Sequence, residues 1–310
     1  MTDPIGGDTS LIERSLAAHG AEVLVPAAKS LHALLPEADA MIVNLATIDT
    51  VALKNAPRCR IIARLGVGVD GVDVRQATER GIWVTNVPRY CTDEVAEHTL
   101  ALILALQRQL RPAQRDLERG LWNQLSYRNI HKASETTLGI VGLGELGRAT
   151  AAKALAVGFK VIGFDPALAS GTTTHGVGIV PLDDLLEASD VVSLHLPLTD
   201  HTRHLMNAQR LSEMRRGAFL INVSRGGIVD EQALLNALRD GHLAGAALDA
   251  FETEPLPGSS PLHGADNLIL TPHIAFLSEE SLESLQTQAV DEVIRVMAGA
   301  HPLNAVNKVS

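Results

Sequence analysis

The sequence predicts an α/β protein made of two doubly wound domains, each with a parallel sheet. Short apolar, β-branched runs alternate with Ala- and Leu-rich helical stretches from residue 39 onward, which is typical of parallel βαβ units. The runs are apolar throughout, as in strands that are covered on both faces. The 310 residues also exceed what one core usually organises. We therefore expect two Rossmann-like or flavodoxin-like domains, with an active site in the cleft between them.

The strands and helices are expected in the following order. The apolar runs are 40–43, 61–65, 83–85, 138–141, 160–164, 191–194, 218–223, 245–248 and 268–270. A helix over 230–240 begins at an aspartate that can cap it and ends before Gly241. Two long helices, 93–109 and 278–297, are expected to connect the domains. The first domain is then discontinuous, comprising 1–92 plus 277–310, and the second spans 93–276.

The beginning of the chain departs from this pattern, because an α/β lobe normally opens with a buried strand. Here a polar stretch leads directly into a helix-like run that starts at Leu11. We expect the first strand of this lobe to be missing, through either a start codon assigned too late or a real truncation. Mass spectrometry of the native N-terminus separates the two explanations.

Composition and charge argue against several kinds of partner. A formal net charge of −10 provides no basic stripe for a phosphate backbone, and the longest strongly apolar run, 100–106, is far shorter than a membrane span. The N-terminus lacks the basic and apolar regions of a secretory signal. Cys59 and Cys91 are the two cysteines, and both are expected to be reduced. The sequence thus predicts a cytoplasmic protein without nucleic-acid or membrane partners.

A glycine-rich loop follows the fourth apolar run. Gly142, Gly144 and Gly147 have the G-x-G-x-x-G spacing and lead into an Ala-rich helix. Chance turns also produce this spacing. After a strand and before a helix, however, the first glycine permits a tight turn, the second lets backbone approach a pyrophosphate, and the third lets helix and strand pack closely. We predict a dinucleotide site here, with Glu145 and Leu146 at the helix N-terminus beside the phosphates.

Asp165 ends the next apolar run, 23 residues after Gly142. A carboxylate at this point can hold the hydroxyls of the adenosine ribose, and it disfavours a 2′-phosphate. The alternative is that Asp165 is only a turn residue ahead of Pro166. We predict NAD, rather than NADP, as the cofactor.

Three ionisable residues are expected at the carboxyl ends of successive strands, where open α/β sheets bind ligands. They are Arg225, Glu254 and His273. Reduction of a 2-oxo acid needs a cation for the carboxylate and carbonyl, a proton donor for the nascent alkoxide, and a group that keeps the donor charged. Arginine, histidine and glutamate supply these. Taken singly, each residue has an equally good structural explanation, as a helix cap, a solvated turn residue or a strand-end histidine.

Five segments together resemble the D-isomer-specific 2-hydroxyacid dehydrogenase family. They are the GLGELG loop, HLPLTDHTRHLM, NVSRGGIVDEQAL, ALDAFETEPLP and LILTPHIA, and the similarity covers nearly the whole chain from about Ile42. The resemblance implies an NAD-dependent enzyme that acts on a 2-oxo or 2-hydroxy acid. It implies that Arg225 binds substrate and that Glu254 pairs with His273 as the acid/base.

The resemblance also implies further contacts with cofactor and substrate. They are Leu196, Pro197, Val223, Ser224 and Asp249 for the nicotinamide side, and Val67, Gly68 and Phe276 for the substrate. Asp249 is implied to contact the carboxamide. Val67 and Gly68 lie in a Gly-x-Gly turn, and the backbone N–H groups of such a turn form a natural anion site for the substrate carboxylate.

Within the family, PHIAFLSEES and NVPRYCTDEVAEH are closest to the branch that includes C-terminal-binding protein, where an aromatic at the Phe276 position faces the substrate pocket. Some members of that branch are NAD-responsive transcriptional corepressors. An NAD(H)-sensing interaction protein with a secondary or vestigial site is therefore the alternative to an enzyme. The complete set of Arg225, Glu254 and His273 favours the enzyme. Glu254 disfavours formate oxidation, whereas phosphite oxidation stays open.

Assembly and metal binding complete the expectations. The resemblance implies a homodimer joined through the nucleotide domain, at a segment 100–135 that carries Trp122 and Tyr127. His195, His201 and His204 are close in sequence but lack the ligand spacing of a zinc site, so no metal is expected. The motifs name neither the particular 2-oxo acid nor the physiological direction.

Overall fold

The computed structural model describes residues 1–5, 8–26 and 31–309. The chain divides into two compact units, one of Met1–Tyr90 with Ser278–Ser310 and one of Cys91–Leu277. Each unit contains a parallel sheet with helices. The predicted α/β fold class is confirmed.

The strands of the described residues, in chain order, are β1 (Ala40–Val43), β2 (Ile61–Arg64), β3 (Trp83–Thr85), β4 (Thr137–Val141), β5 (Lys160–Phe164), β6 (Thr173–Thr174), β7 (Val177–Ile179), β8 (Val191–Leu194), β9 (Phe219–Asn222), β10 (Gly245–Leu248) and β11 (Leu268–Leu270). The helices are α1 (Ser10–Ala17), α2 (Leu31–Leu34), α3 (Thr50–Lys54), α4 (Val74–Glu79), α5 (Thr92–Gln107), α6 (Leu110–Glu118), α7 (Glu145–Val157), α8 (Leu182–Ala188), α9 (Ala208–Glu213), α10 (Glu231–Arg239) and α11 (Glu279–Met297). Every strand expected from the sequence is present, with ends that agree to within one residue.

The first unit is built on a three-stranded parallel sheet in the order β1-β2-β3. Alternate residues of β2 enter different cores. Ile62 packs in a core with Leu53 of α3, while Ile61 packs in another with Ile12 of α1 and Leu285 of α11. Both faces of the strand are therefore buried, which explains its uninterrupted apolar sequence.

The described residues ahead of α1, which are 1–5, 8 and 9, contain no strand. They instead contribute hydrogen bonds to β1 and to the residues that directly follow it. The Thr2 N–H donates to Ile42 O at 2.9 Å, and the Asp3 carboxylate accepts from the N–H of Asn44 at 3.3 Å.

The second unit is built on an eight-stranded sheet in the order β11-β10-β9-β8-β4-β5-β7-β6. All neighbouring pairs are parallel except β6 and β7, which form an antiparallel hairpin. The chain runs from β4 outward through β5 and then returns to the other side of β4 at β8. The strand order reverses between β4 and β8, and such a reversal is where open α/β sheets bind ligands.

Helix α6 was not expected, because most of its residues are polar, although Leu110, Ala113 and Leu117 recur at helical spacing. None of its residues is buried. The apolar side chains of this region, including Leu117 and Trp122, are exposed. Within the described ranges, no helix combines the length and apolar character that crossing a membrane requires.

Candidate active site

The glycine loop lies between β4 and α7, at the reversal of strand order. Gly142 has a φ of 95°, and a Cβ there would overlap the carbonyl oxygen of His195. A Cβ at Gly147 would overlap the carbonyl oxygen of Gly142. At Gly144, in contrast, a Cβ would have no heavy atom within 4 Å. Two glycines thus permit close backbone packing, and the third borders open space, as the predicted approach of a pyrophosphate requires.

The predicted phosphate contacts lie at the start of α7, which begins at Glu145 and continues through Leu146. The first N–H groups of a helix have no partner within the helix and suit an anion. Asp165 follows β5, and its carboxylate accepts hydrogen bonds from the N–H of Leu143 and of Ala167, both at 2.9 Å. The structure therefore places Asp165 beside the glycine loop, where a ribose would follow the phosphates.

The residues predicted for the nicotinamide side lie at the ends of β8 and β9. The Ser224 hydroxyl donates to Leu194 O at 2.6 Å and accepts from the Leu196 N–H at 3.2 Å. Val223 directly follows β9, and the Pro197 carbonyl accepts from a threonine hydroxyl at 2.6 Å. The two hydrogen bonds of Ser224 join the two strand ends, and a Cβ at Gly142 would meet His195 and Leu196, so these ends lie next to the glycine loop.

Glu254 and His273 form a hydrogen-bonded pair. The Nδ1 atom of His273 lies 2.8 Å from Glu254 Oε2, and Glu254 Oε1 accepts from the Phe251 N–H at 2.9 Å. Burial alone would raise the pKa of Glu254, but the hydrogen bonds from His273 and Phe251 and the charges of His273 and Arg225 outweigh it and lower the pKa. An ionised carboxylate only accepts, so Nδ1 carries a hydrogen and Nε2 is the nitrogen left to exchange a proton.

Arg225 lies in the turn that follows β9. Its carbonyl accepts from the side-chain amide of Asn222 at 2.9 Å, and its guanidinium donates to Ser224 O at 2.9 Å. A Cβ at the next residue, Gly226, would overlap the backbone of Phe251, so this turn packs directly on the segment that leads to Glu254. The structure thus brings Arg225, Glu254 and His273 together within one unit.

Asp249 follows β10, and only 1% of its surface is exposed. Its carboxylate accepts from the N–H of Ile274 and of Ala275, both at 2.9 Å. It also accepts from the Thr271 hydroxyl at 2.5 Å. The carboxylate therefore binds the loop around His273, a contact that sequence reasoning missed. The contact predicted for Asp249 with the carboxamide remains a prediction.

The three remaining predicted substrate contacts are divided between the two units. The ring of Phe276 meets the His273 ring edge-on, with centroids 6.4 Å apart. In the first unit, Val67 and Gly68 follow β2 in a turn whose Val67 carbonyl accepts from the Asn86 side-chain amide at 2.7 Å. That hydrogen bond fixes the turn from which the predicted backbone donors come.

The clustered histidines have separate surroundings. His195 is partly buried, its Nε2 lies 2.9 Å from the Ser193 hydroxyl, and the loss of solvent around the ring lowers its pKa to about 4. His204 pairs with Glu252 at 3.3 Å. In the part of the chain that the structure describes, no group of three or more His, Cys, Asp or Glu side chains is arranged to hold a metal ion.

Comparison with known families identifies the class of protein. Residues 100–275, more than half of the chain, match the NAD-binding domain of the D-isomer specific 2-hydroxyacid dehydrogenases. The chain belongs to this family, as the motifs predicted, and the cofactor of the matched domain is NAD.

Three relatives show the range of the family. D-3-phosphoglycerate dehydrogenase of Mycobacterium leprae is 38% identical over 304 residues, which are 96% of this chain and 57% of that protein. Glyoxylate reductase of Korarchaeum cryptofilum is 38% identical over 288 residues, 91% of this chain and 87% of that protein. D-lactate dehydrogenase of Aquifex aeolicus, solved with NAD and lactic acid, has a TM-score of 0.89 at 30% identity, covering 100% of this chain and 99% of that one.

This chain therefore spans little more than half the length of the mycobacterial relative. The three relatives are named for three different acids, so family membership alone does not fix the substrate. None of the three is named as a corepressor, and the comparisons give that alternative no support. The branch within the family stays a prediction.

Proposed function

We propose that this protein is an NAD(H)-dependent dehydrogenase that interconverts a small 2-oxo acid and the D-2-hydroxy acid. The observation that carries the proposal is the 2.8 Å hydrogen bond between His273 Nδ1 and Glu254, whose carboxylate also interacts with the charge of Arg225. The second unit, close to the predicted 93–276, would be the NAD-binding domain. The first unit, close to 1–92 plus 277–310, would bind substrate. NADH, when bound, supplies the hydride that reduces the carbonyl carbon.

His273 supplies the proton for this reaction. Reduction turns the carbonyl oxygen into an alkoxide, which needs a proton as it forms. Because Nδ1 is committed to Glu254, the proton comes from Nε2 of the imidazolium. Glu254 is ionised at neutral pH, since its pKa lies below the ordinary value, and its negative charge stabilises the imidazolium. In the direction of oxidation, Nε2 accepts the hydroxyl proton instead.

Arg225 binds the substrate in this proposal. A guanidinium presents paired N–H donors that match a carboxylate and can also polarise the neighbouring carbonyl. The backbone N–H groups of Val67 and Gly68 are proposed to hold the same carboxylate. Phe276, which contacts the His273 ring, would limit the size of the substituent on C2.

The remaining predicted residues are proposed to hold the cofactor. Gly142, Gly144, Gly147 and the start of α7 bind the pyrophosphate, and Asp165 binds the adenosine ribose. The nicotinamide side is lined by Leu196, Pro197, Val223, Ser224 and Asp249. The joined ends of β8 and β9 support this assignment, because His195 and Leu196 at these ends lie against Gly142 of the glycine loop.

The test is NADH oxidation with glyoxylate, hydroxypyruvate, pyruvate and phenylpyruvate, with NADPH in parallel and NAD with phosphite as a separate reaction. We expect turnover of at least one small 2-oxo acid. His273→Ala should lower the rate about 10²- to 10⁴-fold, the usual contribution of a general acid, without changing NADH binding. His201→Ala, at an exposed histidine of the same unit, is the matched control. Tight NADH binding with no turnover of any 2-oxo acid would contradict the proposal.

We also propose a homodimer formed through segment 100–135. The observation in favour is the exposed apolar surface that follows α6, where the Trp122 side chain is 82% exposed. Exposed apolar surface of this kind commonly marks a protein interface. Light scattering should report about twice the 33.0 kDa of one chain, and Trp122→Lys should shift the mass toward 33.0 kDa. A wild-type mass of 33.0 kDa at micromolar concentration would refute the dimer.

A further inference from the structure

His273 has an unusual backbone conformation. Its φ of 55° lies in the left-handed region, which residues with a Cβ rarely adopt. Such conformations cost free energy and persist where the surrounding structure over-determines them, often at functional sites. The His273 N–H donates to Thr271 O at 3.0 Å, within the loop itself. Contacts from outside the loop must therefore also stabilise this backbone conformation.

Asp249 provides one such restraint from the end of the neighbouring strand. Its Oδ1 atom accepts from the Ile274 N–H and from the Thr271 hydroxyl, and its Oδ2 atom accepts from the Ala275 N–H. These three donors lie on both sides of His273 in the sequence. A single buried carboxylate therefore fixes the loop before and after the histidine.

His98, on helix α5, extends this restraint. Its Nε2 atom lies 3.1 Å from Thr271 Oγ1 and 3.7 Å from Asp249 Oδ1. The Thr271 hydroxyl has one proton, and a carboxylate can only accept, so that proton is directed to Asp249. The hydroxyl oxygen must then accept from His98, which requires a hydrogen on Nε2 of His98. The direction of donation is thus fixed: His98 donates to Thr271, and Thr271 donates to Asp249.

We infer that His98, Thr271 and Asp249 are positioning residues that fix the backbone of the His273 loop and thereby the position and orientation of the His273 ring. The inference rests on the proposed function, in which His273 transfers the proton. His98 and Thr271 act through the loop, by orienting the Asp249 carboxylate and tying it to α5. The chain of donors links this helix to the His273 loop through groups that are 173 residues apart in sequence.

The inference is tested on the full-length protein with Thr271→Val, which exchanges the hydroxyl for a methyl group at nearly constant shape, and with His98→Leu. We expect kcat to fall about 10- to 100-fold, as for a displaced reacting group. Hydrogen exchange at the N–H groups of Ile274 and Ala275 should become faster. Thr271→Ser, which restores the hydroxyl, should return both measurements toward wild type.

Thr99→Val is the matched control, because Thr99 is a buried threonine of α5 whose hydroxyl donates to Val95 O within the helix. It should change neither kcat nor exchange of the His273 loop. His98→Leu provides an independent answer if Thr271→Val does not fold.

Wild-type exchange or wild-type kcat in both Thr271→Val and His98→Leu would overturn the inference. The exchange measurement needs no substrate. It therefore decides whether the donors hold the loop even if the wild-type protein reduces none of the acids tested, an outcome that would defeat the proposed function instead.

Discussion

The glycine loop after β4 and the His273 loop after β11 belong to the same unit, yet their backbones are held in different ways. In the glycine loop the restraint is steric. A Cβ at Gly142 or at Gly147 would overlap a backbone carbonyl oxygen, and backbone cannot move aside as a flexible side chain can. This loop keeps its shape because Gly142 and Gly147 have no side chain at the two points of close backbone packing.

The His273 loop keeps its shape through polar side chains. Asp249 accepts from two N–H groups and one hydroxyl of the loop, and Glu254 holds the histidine ring from another direction. A left-handed φ at a residue with a Cβ is maintained here by hydrogen bonds. Such a restraint can be weakened by removing one hydrogen bond at a time. A single Cβ added at a packed glycine, in contrast, is expected to disrupt the whole glycine loop.

The largest effect is expected from Gly147→Ala, because the added Cβ meets backbone. We expect a loss of about 1–3 kcal/mol or more in the free energy of unfolding, as in other overpacked sites, together with loss of NADH binding. Thermal unfolding and a fluorescence titration with NADH measure the two effects. A variant with wild-type stability would show that the loop can relax and that the steric restraint is weaker than its geometry indicates.

Gly144→Ala is the matched variant for that experiment. Its Cβ would have no heavy atom within 4 Å, and the φ of Gly144 is −63°, a value that alanine adopts readily. Thermal stability should therefore stay at the wild-type level while NADH affinity falls, because the methyl group occupies space intended for the phosphates. A large drop in stability would contradict this division between packing glycines and the ligand-facing glycine.

The same difference explains what the sequence could predict. In the glycine loop, Gly147 packs against Gly142 five positions earlier, so this part of the restraint is visible as a motif. Arg225, Glu254 and His273 could be located because each follows a strand within a recognisable segment. The tie between His98 and Thr271 joins residues far apart in the chain, and only the folded unit shows it.

Secondary structure followed a similar rule. Strands covered on both faces, such as β4 and β8, leave uninterrupted apolar runs and could be placed to within a residue. The β6–β7 hairpin has strands of two and three residues, too short for any period. Helix α6 has apolar residues at helical spacing, Leu110, Ala113 and Leu117, but this signal was missed in a segment that is otherwise polar.

An intermediate effect is expected from Glu254→Gln, which keeps the shape of the side chain and removes its charge. The reduction rate should fall about 10²-fold, at the lower end of what a general acid contributes, because the imidazolium loses its partner. Stopped-flow reduction with saturating NADH measures it. Gln209→Glu is the control, because it exchanges the same two residue types at an exposed position, and it should leave the rate unaltered. A wild-type rate in Glu254→Gln would show that the pair is only structural.

The pH dependence of stability sharpens this result. Since the folded pKa of Glu254 is lowered from 4.5, its ionisation contributes stability that is fully present above pH 4.5 and is lost as the pH falls through the folded pKa. Chemical unfolding at a series of pH values should therefore show a steeper acid loss in the wild type than in Glu254→Gln. Parallel curves would contradict the lowered pKa.

The smallest effect is expected from Asp165→Asn, which tests a polar contact within the sterically held half of the site. The Asp165 carboxylate accepts from the Leu143 N–H of the glycine loop, and an amide oxygen can preserve that hydrogen bond. The charge that repels a 2′-phosphate is lost, however. Wild type should bind NADH at least about tenfold more tightly than NADPH, a difference of about 1.4 kcal/mol, and the variant should narrow this ratio.

Asp183→Asn, at an exposed aspartate of α8, controls for the change in net charge. Titration of both nucleotides against the three proteins gives the ratios. If Asp165→Asn leaves the ratio unchanged, Asp165 acts as the glycines do, by shaping the loop without reading the ligand. If the ratio narrows only in Asp165→Asn, the region around the glycine loop also contains a group that recognises the cofactor by charge. The two loops then differ in how their backbones are held, but both present a charged side chain to a ligand.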